Sequence, residues 1–246
     1  MNNKKKVLVL GARGSVGRQT VAWLAKAGHK VIAAARFNRE GEPQVGEELL
    51  QLGAELVVPL AEVSDPMEMS ELAAYVSEAG GVDAVVYAVG HCPAGGFKPA
   101  VSRPLSKFPL EELERECAMH ILGPKVALDA FLDCMTRGGC FIFISSAITR
   151  MRGKLPVGAH AEYHGASISA MNWLIDGMRK DPEVREWGVK IHRLAPGALD
   201  TPFHDKNGPG PALLPVGFLV DAIRACLEAT DNVDEQDTLV AAPRQQ

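Results

Sequence analysis

Three glycines near the start of the chain are separated from one another by two residues each and follow the apolar run 7–10. Glycine lets the backbone approach a ligand where any side chain would block it. The pattern then becomes helical, so that the first amides and the positive dipole end of a helix point to the same place. The sequence therefore predicts a pyrophosphate-binding turn made of Gly11, Gly14, Ser15, Val16 and Gly17.

Two arginines accompany this turn. Arg13 lies within it, and Arg36 follows the second predicted strand, residues 30–35. A site selective for NAD(H) usually has an acidic residue near that second position, whereas an arginine accommodates the 2′-phosphate of NADP(H). A guanidinium is a permanently charged planar fork that suits phosphate. Either arginine alone is also explained by simple solvation, but together they favour NADP(H) as the cofactor.

Apolar runs alternate with helical patterns along the chain, which predicts a parallel sheet covered by helices on both faces. Right-handed crossovers make this a Rossmann-type, doubly wound α/β fold with seven strands, and the ligand crevice lies at the carboxyl ends of the strands. The predicted strands are residues 6–10, 30–35, 55–60, 84–89, 140–145, 190–194 and 238–241. The predicted helices are residues 15–27, 45–52, 66–78, 110–135, 162–178 and 216–229.

Two segments rich in proline and glycine, residues 91–109 and 196–215, interrupt this alternation. Each follows a predicted strand, so we expect both at the carboxyl edge of the sheet. They are interpreted as substrate-binding loops of one domain spanning residues 1–246, with ordinary surface loops as the alternative.

Composition narrows the class of protein. The net charge of −4 favours neither nucleic acid nor a membrane surface. No run approaches the ~20 apolar residues of a membrane span, and the apolar run after the basic start is too short for a signal peptide. The five cysteines form no Cys-x-x-Cys pair. A reduced, cytoplasmic protein with a small-molecule substrate is predicted.

The order of these features resembles that of the short-chain dehydrogenases/reductases over nearly the whole chain. The Glu-Val pair after predicted strand three is similar to the Asp-Val pair that touches adenine in that family. Tyr-Ala-Val-Gly after strand four is similar to Asn-Asn-Ala-Gly, and a Pro-Gly turn with a threonine follows strand six. The further cofactor-binding residues that the resemblance implies are Glu62, Val63, Ala88, Val89, Gly90, Pro196, Gly197 and Thr201.

The family's reaction, hydride transfer between a nicotinamide and a carbonyl or alcohol carbon, implies two catalytic residues. The resemblance makes Tyr163 the proton donor or acceptor and Ser146, with Ser145 second, the partner of the substrate oxygen. A free phenol has a pKa near ~10, so a nearby positive charge is needed to favour phenolate at neutrality. In the family, a lysine four residues after the tyrosine supplies that charge.

This chain departs from the family pattern at two positions. Ser167 stands in place of the lysine, and His120 in place of an asparagine that anchors a water relay. Ser167 retains a hydroxyl for a ribose, and His120 can continue a proton relay because imidazole both donates and accepts. A buried structural histidine is the alternative for His120. Lys125 or Lys154 would be the source of a replacement charge.

Two other patterns are weaker. His160 and His164 have helical ligand spacing, but a helix that begins at residue 162 leaves His160 outside it and no third ligand is evident, so no metal is predicted. Cys92 follows strand four without a charged partner that would mark it as a nucleophile.

The sequence thus predicts an NADP(H)-dependent carbonyl reductase that acts on a small ketone, aldehyde or imine. One alternative is altered chemistry on the same fold, as in a cyclase, isomerase or dehydratase. The other is an NADP(H)-binding protein without catalysis. By resemblance we also expect a homodimer or homotetramer, formed through the predicted helices 110–135 and 162–178.

Overall fold

The apolar runs form a parallel sheet in a computed structural model, and the strand order is β3-β2-β1-β4-β5-β6-β7. Six strands have four or more residues, and the seventh is a two-residue pairing with β6. The strands are β1 Lys6–Leu10, β2 Lys30–Ala35, β3 Leu56–Pro59, β4 Val82–Tyr87, β5 Met135–Ile144, β6 Lys190–Leu194 and β7 Asp234–Glu235. The structure describes residues 4–37, 43–90, 104–150, 159–201 and 213–235.

Helices cover both faces of the sheet. Along β1, Leu8 and Leu10 belong to one apolar core, and Val7 and Val9 to the other, because successive side chains of a strand point to opposite faces. This arrangement confirms the predicted doubly wound, Rossmann-type α/β fold. The helices are α1 Ser15–Lys26, α2 Pro43–Gln51, α3 Pro66–Glu78, α4 Leu110–Cys117, α5 Gly123–Phe131, α6 Ala159–Met178, α7 Pro182–Glu186 and α8 Val216–Glu228.

The prediction of a single helix over residues 110–135 is wrong, because the structure divides this range into two α-helices. A π-helical turn, Ala118–Leu122, separates α4 from α5. Pro124 lies in the first turn of α5, and because proline has no backbone N–H, the hydrogen-bond pattern of α4 cannot continue through it. The widened turn is the local consequence, and it holds His120.

Strand β5 begins at Met135 rather than at residue 140. The helix predicted to end at residue 135 is therefore also too long at its C-terminal end, since α5 ends at Phe131. Val82 pairs with Met135, and after a register shift Ala84 pairs with Cys140. Gly138, between these pairs, has a φ of +78°, a conformation that glycine adopts without strain.

Several other bounds differ from the predictions, and the largest of these strand shifts is in β4, which covers Val82–Tyr87 rather than residues 84–89. Helix α6 begins at Ala159, three residues before the predicted start. The short helix α7 was not predicted, although Asp181 caps it by accepting hydrogen bonds from the amides of Glu183 and Val184. The strand predicted at 238–241 lies outside the described residues.

No helix within the described ranges is both long and apolar enough to cross a membrane.

Candidate cofactor and catalytic site

The strand order reverses at β1, which pairs with β2 on one side and β4 on the other. At the carboxyl end of β1, Leu10 lies opposite Ala34 and Tyr87. Connections leave the sheet in opposite directions at such a point, which opens a crevice outside the strand ends. The glycine turn follows Leu10 directly and therefore lies at this crevice.

The glycine turn has no room for side chains at two of its positions. Gly11 has a φ of +79°, and a Cβ there would lie 2.7 Å from the carbonyl oxygen of Ala88. A Cβ at Gly17 would lie 2.3 Å from the carbonyl oxygen of Gly11. Gly14 is exposed and immediately precedes α1. The first amides of α1 thus have a side-chain-free approach, which fits a phosphate group.

Arg36 directly follows the carboxyl end of β2, the strand that pairs with β1. Its Nε donates a 2.8 Å hydrogen bond to the carbonyl oxygen of Ala61, and a terminal nitrogen lies 3.4 Å from Oε2 of Glu62. Ser64 donates to the other oxygen of Glu62 from both its amide and its hydroxyl. The exposed guanidinium is therefore oriented by Ala61 and Glu62 at the end of β2, and its role at a 2′-phosphate stays a prediction.

The remaining predicted cofactor residues lie at the same edge of the sheet. Ala88 continues β4 by donating its amide to the carbonyl of Leu10 at 3.0 Å, and Val89 and Gly90 follow it. Val63 is buried in the core, so only its backbone can face a ligand. Ser15 and Val16 open α1 and are half-buried, as is Arg13.

The turn after β6 is hydrogen-bonded to the segment after β5 that contains the two candidate serines, Ser145 and Ser146. Pro196 accepts a 2.9 Å hydrogen bond from the amide of Ala147, and Gly197 follows. The amide of Asp200 donates to the carbonyl of Leu214, and the amide of Leu214 donates to the carbonyl of Ala198, which joins residues 198–200 to residue 214. Thr201 is buried beside this junction. Residues 91–103 and 202–212 of the predicted loops lie outside the described residues.

The two candidate serines have different environments. The hydroxyl of Ser145 is buried and donates a 2.7 Å hydrogen bond to Oδ1 of Asn172 in α6. The hydroxyl of Ser146 is half-buried and accepts a 3.3 Å hydrogen bond from the amide of Ile148. Ser145 thus holds β5 against α6, and Ser146 is the better placed of the two for a ligand.

Tyr163 lies in the first turns of α6 and is half-buried. The ring of Phe108 packs against it edge to face, with the centroids 5.0 Å apart. The other two tyrosines are unsuited to the role, because Tyr75 is exposed on α3 and Tyr87 is enclosed in the core. The tyrosine selected from the sequence therefore remains the candidate proton donor.

A buried polar cluster occupies the positions where the family has lysine and asparagine. It consists of Glu116, His120, His164 and Ser167. One oxygen of Glu116, Oε2, lies 3.0 Å from Nδ1 of His120 and 3.0 Å from Nδ1 of His164, and it accepts a 3.0 Å hydrogen bond from the hydroxyl of Ser167. Nδ1 of His120 also lies 3.1 Å from Oγ of Ser167. Both residues that replace the family's pair therefore belong to one hydrogen-bonded group.

The carboxylate of Glu116 is the anion at the centre of this cluster. Burial raises the pKa of Glu116, but the hydrogen bonds and charges of His120 and His164 outweigh burial and hold the pKa well below its usual range. A buried carboxylate is stable only when it is paired in this way. Three donors that converge on one oxygen are the arrangement expected around such an anion.

Sequence reasoning missed Glu116 and the part that His164 has in the cluster. Glu116 precedes His120 by four residues, so helical spacing alone would have placed the two side chains together. The ligand atoms of Glu116, His120 and His164 lie within 4.8 Å of one another, a spacing that a metal ion also uses. The common distance of 3.0 Å to a single oxygen is, however, the geometry of hydrogen bonds to a carboxylate, and the absence of a metal stays a prediction.

Of the two lysines considered as a replacement charge, the structure describes Lys125. Lys125 pairs with Asp129 on the surface of α5. Lys154 and Cys92 lie outside the described residues. His160 falls within α6, contrary to the expected helix start, but its side chain is not among those described.

Comparison with known proteins agrees with this geometry. A family model described as short chain dehydrogenase matches residues 5–211. The chain belongs to the short-chain dehydrogenase family. An uncharacterized oxidoreductase of Myxococcus xanthus is 27% identical over 221 residues, which are 88% of this chain and 79% of that protein. The cyclic-di-GMP-binding biofilm dispersal mediator protein of Escherichia coli is 27% identical over 206 residues, 83% of this chain and 77% of that protein.

Two solved structures show the same fold. One is a blue fluorescent protein from a metagenomic library in complex with NADPH, with a TM-score of 0.76 and 21% identity over 98% of this chain and 99% of that chain. The other is an alcohol dehydrogenase from the archaeon Thermococcus sibiricus complexed with 5-hydroxy-NADP, with a TM-score of 0.72 and 22% identity over 98% of this chain and 100% of that chain.

Proposed function

We propose that this short-chain dehydrogenase is an NADP(H)-dependent oxidoreductase that reduces the carbonyl group of a small molecule. The observation that carries the proposal is the glycine turn at the reversal of strand order, where a Cβ at Gly11 or Gly17 would collide with backbone. A turn whose glycines leave no room for a Cβ, followed by the N-terminal amides of α1, is suited to a dinucleotide pyrophosphate.

The choice of NADP(H) rests on Arg36. Its guanidinium is exposed yet held by the carbonyl of Ala61 and by Glu62, so a 2′-phosphate would meet an oriented positive charge. The two structural relatives described above were solved with NADPH and with an NADP derivative, which supports the same choice here.

The reaction we propose uses Tyr163 and Ser146. NADPH held by the glycine turn and Arg36 would supply the hydride, with its two electrons, that the carbonyl carbon requires. The hydroxyl of Tyr163 gives its proton to the carbonyl oxygen, so the product is an alcohol and Tyr163 becomes a tyrosinate. Ser146 donates a hydrogen bond to that oxygen and stabilises its developing charge. Ser167 holds the position of the family's lysine, where its buried hydroxyl donates to Glu116, and His120 lies within hydrogen-bond distance of it as the candidate relay residue.

The proposal is tested with wild type and Tyr163→Phe on a panel of aldehydes, ketones and imines, monitored by loss of NADPH absorbance. We expect turnover with NADPH and a loss of at least about 100-fold in kcat for Tyr163→Phe, because general acid catalysis contributes that much. Tyr75→Phe, on an exposed helix face, is the matched control and retains full activity. Undiminished turnover in Tyr163→Phe would refute the role of this residue.

An NADP(H)-binding protein without catalysis is the second candidate. The replacement of the family's lysine and asparagine by Ser167 and His120 favours it, and the similar Escherichia coli protein is named for binding a cyclic dinucleotide. Tight NADPH binding with no turnover on the whole panel would select this candidate over the reductase.

We also propose a homodimer or homotetramer formed through α4, α5 and α6. Large apolar side chains are exposed there, with Trp173 of α6 81% exposed and Leu122 of the π-helical turn 54% exposed. Large apolar side chains with this exposure are candidates for an interface between subunits. Sedimentation velocity of wild type and Trp173→Glu tests this interface. We expect wild type to sediment as an oligomer and the variant as a smaller species.

A further inference from the structure

The segment that leads into α4, residues 104–110, packs onto the protein at one residue. Phe108 is half-buried, whereas the six other residues of this segment are exposed. Leu105 and Leu110, on either side of it in the sequence, are 53% and 60% exposed. The ring of Phe108 meets the ring of Tyr163, with the centroids 5.0 Å apart. The segment is thus in contact with the candidate proton donor through an aromatic ring.

The backbone around Phe108 fixes the position of this ring. The 3₁₀ turn Leu105–Lys107 precedes it, and the amide of Phe108 donates a 3.2 Å hydrogen bond to the carbonyl of Leu105. Pro109 follows, and a residue before proline is restricted to extended backbone. Phe108 accordingly has a φ of −86° and a ψ of 133°. The ring therefore has a set place beside Tyr163.

The rings of Phe108 and Tyr163 form an aromatic corner. Their planes are 74° apart, so the edge of one ring faces the π-surface of the other. A third flat ring fits such a corner, because it can stack on one ring with an offset and meet the other edge to face. A saturated ring of the same size has no π-quadrupole and gains only apolar contact. The corner therefore favours an aromatic group over an aliphatic one.

This aromatic corner lies beside the group that reacts in the proposed reduction. To receive the proton, the carbonyl oxygen of a substrate must come within about 2.6–3.2 Å of the Tyr163 hydroxyl. That hydroxyl is bonded to the ring that Phe108 contacts. A group attached to the carbonyl carbon is consequently brought next to the ring of Phe108.

We propose that Phe108 determines substrate specificity, and that the substrate is an aryl aldehyde or aryl ketone, in which the carbonyl group is attached to an aromatic ring. The inference rests on the proposed function and names its substrate class. A charged group in the same place would lose water without gaining a hydrogen bond from the ring of Phe108, which is unfavourable. The aromatic ring of the substrate is therefore expected to be uncharged on the side that enters the corner.

The first test compares two ketones of similar size, acetophenone and cyclohexyl methyl ketone, which differ in the aromaticity of the ring. The ratio of their kcat/KM values does not depend on the fraction of active protein. In Phe108→Leu, which keeps an apolar side chain, we expect this ratio to fall by about 3- to 10-fold relative to wild type, because the contacts between aromatic rings are lost. Tyr75→Leu, which removes an exposed ring from α3, is the matched control and keeps the wild-type ratio.

This ratio separates substrate recognition from a structural role. If Phe108 only orients Tyr163, Phe108→Leu lowers kcat/KM for both ketones by the same factor, and the unchanged ratio overturns the inference. A wild-type protein that reduces aliphatic carbonyls but not acetophenone would also overturn it. The proposed reductase function would survive either result.

The second test needs no turnover. Protein with labelled phenylalanine rings is loaded with NADP⁺, which carries no hydride to transfer, and acetophenone is added while NMR spectra are recorded. Phe108→Leu identifies the signals of Phe108. We expect acetophenone to shift these signals through its ring current and cyclohexyl methyl ketone to shift them less. Unshifted Phe108 signals would overturn the inference. Shifted signals in a protein that reduces no carbonyl would refute the proposed function and leave the aromatic recognition by Phe108 in place.

Discussion

The hydroxyl of Tyr87 donates a 2.6 Å hydrogen bond to the carbonyl oxygen of Met119. Tyr87 ends β4 and is fully buried, and Met119 lies in the π-helical turn directly before His120. The amide of Gly123 donates to the carbonyl of Ala118, and Pro124 has no N–H to offer, so the carbonyl of Met119 takes its donor from outside the helix. This bond therefore connects the sheet to the turn that positions His120 in the cluster.

Removal of that hydroxyl is the first prediction. We expect Tyr87→Phe to lower the free energy of unfolding by about 1–3 kcal/mol, because it leaves a buried carbonyl without its donor. Urea denaturation measures the change. Tyr75→Phe, which removes an exposed hydroxyl, is expected to change stability by less than about 0.5 kcal/mol. An equal, small effect of both substitutions would show that the bond does not hold the turn.

The glycine turn supplies the second prediction. Gly17→Ala is expected to cost about 1–3 kcal/mol in stability and to abolish NADPH binding, because the added methyl would lie 2.3 Å from the carbonyl of Gly11. Gly177→Ala is the control, since a Cβ at that helical position meets nothing within 4 Å. It should stabilise the protein by up to about 1 kcal/mol.

Thermal unfolding with and without NADPH measures both effects on the glycine variants. A wild-type melting temperature that rises with NADPH, beside a Gly17→Ala value that does not, is the expected pattern. NADPH-dependent stabilisation retained in Gly17→Ala would place the dinucleotide elsewhere.

The third prediction concerns cofactor choice. Arg36→Ala is expected to raise the Kd for NADPH by about 10- to 100-fold, since charge-assisted hydrogen bonds contribute ~1.5–3 kcal/mol each, and to leave the Kd for NADH within about twofold. Quenching of protein fluorescence measures both. Arg18→Ala is the control, because Arg18 pairs with Glu48 on the surface of α1. A parallel loss of both cofactors would mean that Arg36 does not contact a 2′-phosphate.

Most of the fold could be predicted from the sequence because the patterns that determine its strands and its glycine turn lie within short stretches of the chain. The apolar runs at 6–10 and 30–35 became buried strands, and the glycines after the first became a closed turn. The interruption at Ala118–Leu122 was not visible in periodicity, because a single π-helical turn of five residues is too short to establish a period of its own. Pro124 was the local signal for it.

The site was predictable only where the family pattern supplied positions. Tyr163 and Ser146 were identified in that way, and their catalytic roles stay predictions. The partners of His120 and Ser167 were not foreseen, because Glu116 and His164 come together only when α4 and α6 pack. A carboxylate in an acidic helix such as α4 has the sequence signature of a solvated side chain, and only the fold shows that Glu116 is buried.

A second buried histidine, His192, lies outside the site. His192 in β6 is fully buried, and its Nδ1 accepts a 2.9 Å hydrogen bond from the amide of Val233. Its Nε2 has no hydrogen-bond partner among the described residues. Burial, with smaller contributions from the charges of Lys190, Arg179 and Lys5, lowers the pKa of His192 to about 4.

The last prediction follows from that low pKa. Above pH 6.5 His192 is neutral in both the folded and the unfolded chain, so its effect on stability is constant. As the pH falls from 6.5 to 4, only the unfolded chain takes up the proton, and the free energy of unfolding should drop by about 3 kcal/mol. Urea denaturation across this range is expected to show the drop in wild type and its absence in His192→Asn, whose amide oxygen can still accept from Val233. His29→Asn is the control, because His29 is only partly buried and should account for a smaller share. A drop of equal size in wild type and His192→Asn would mean that other groups cause the acid sensitivity.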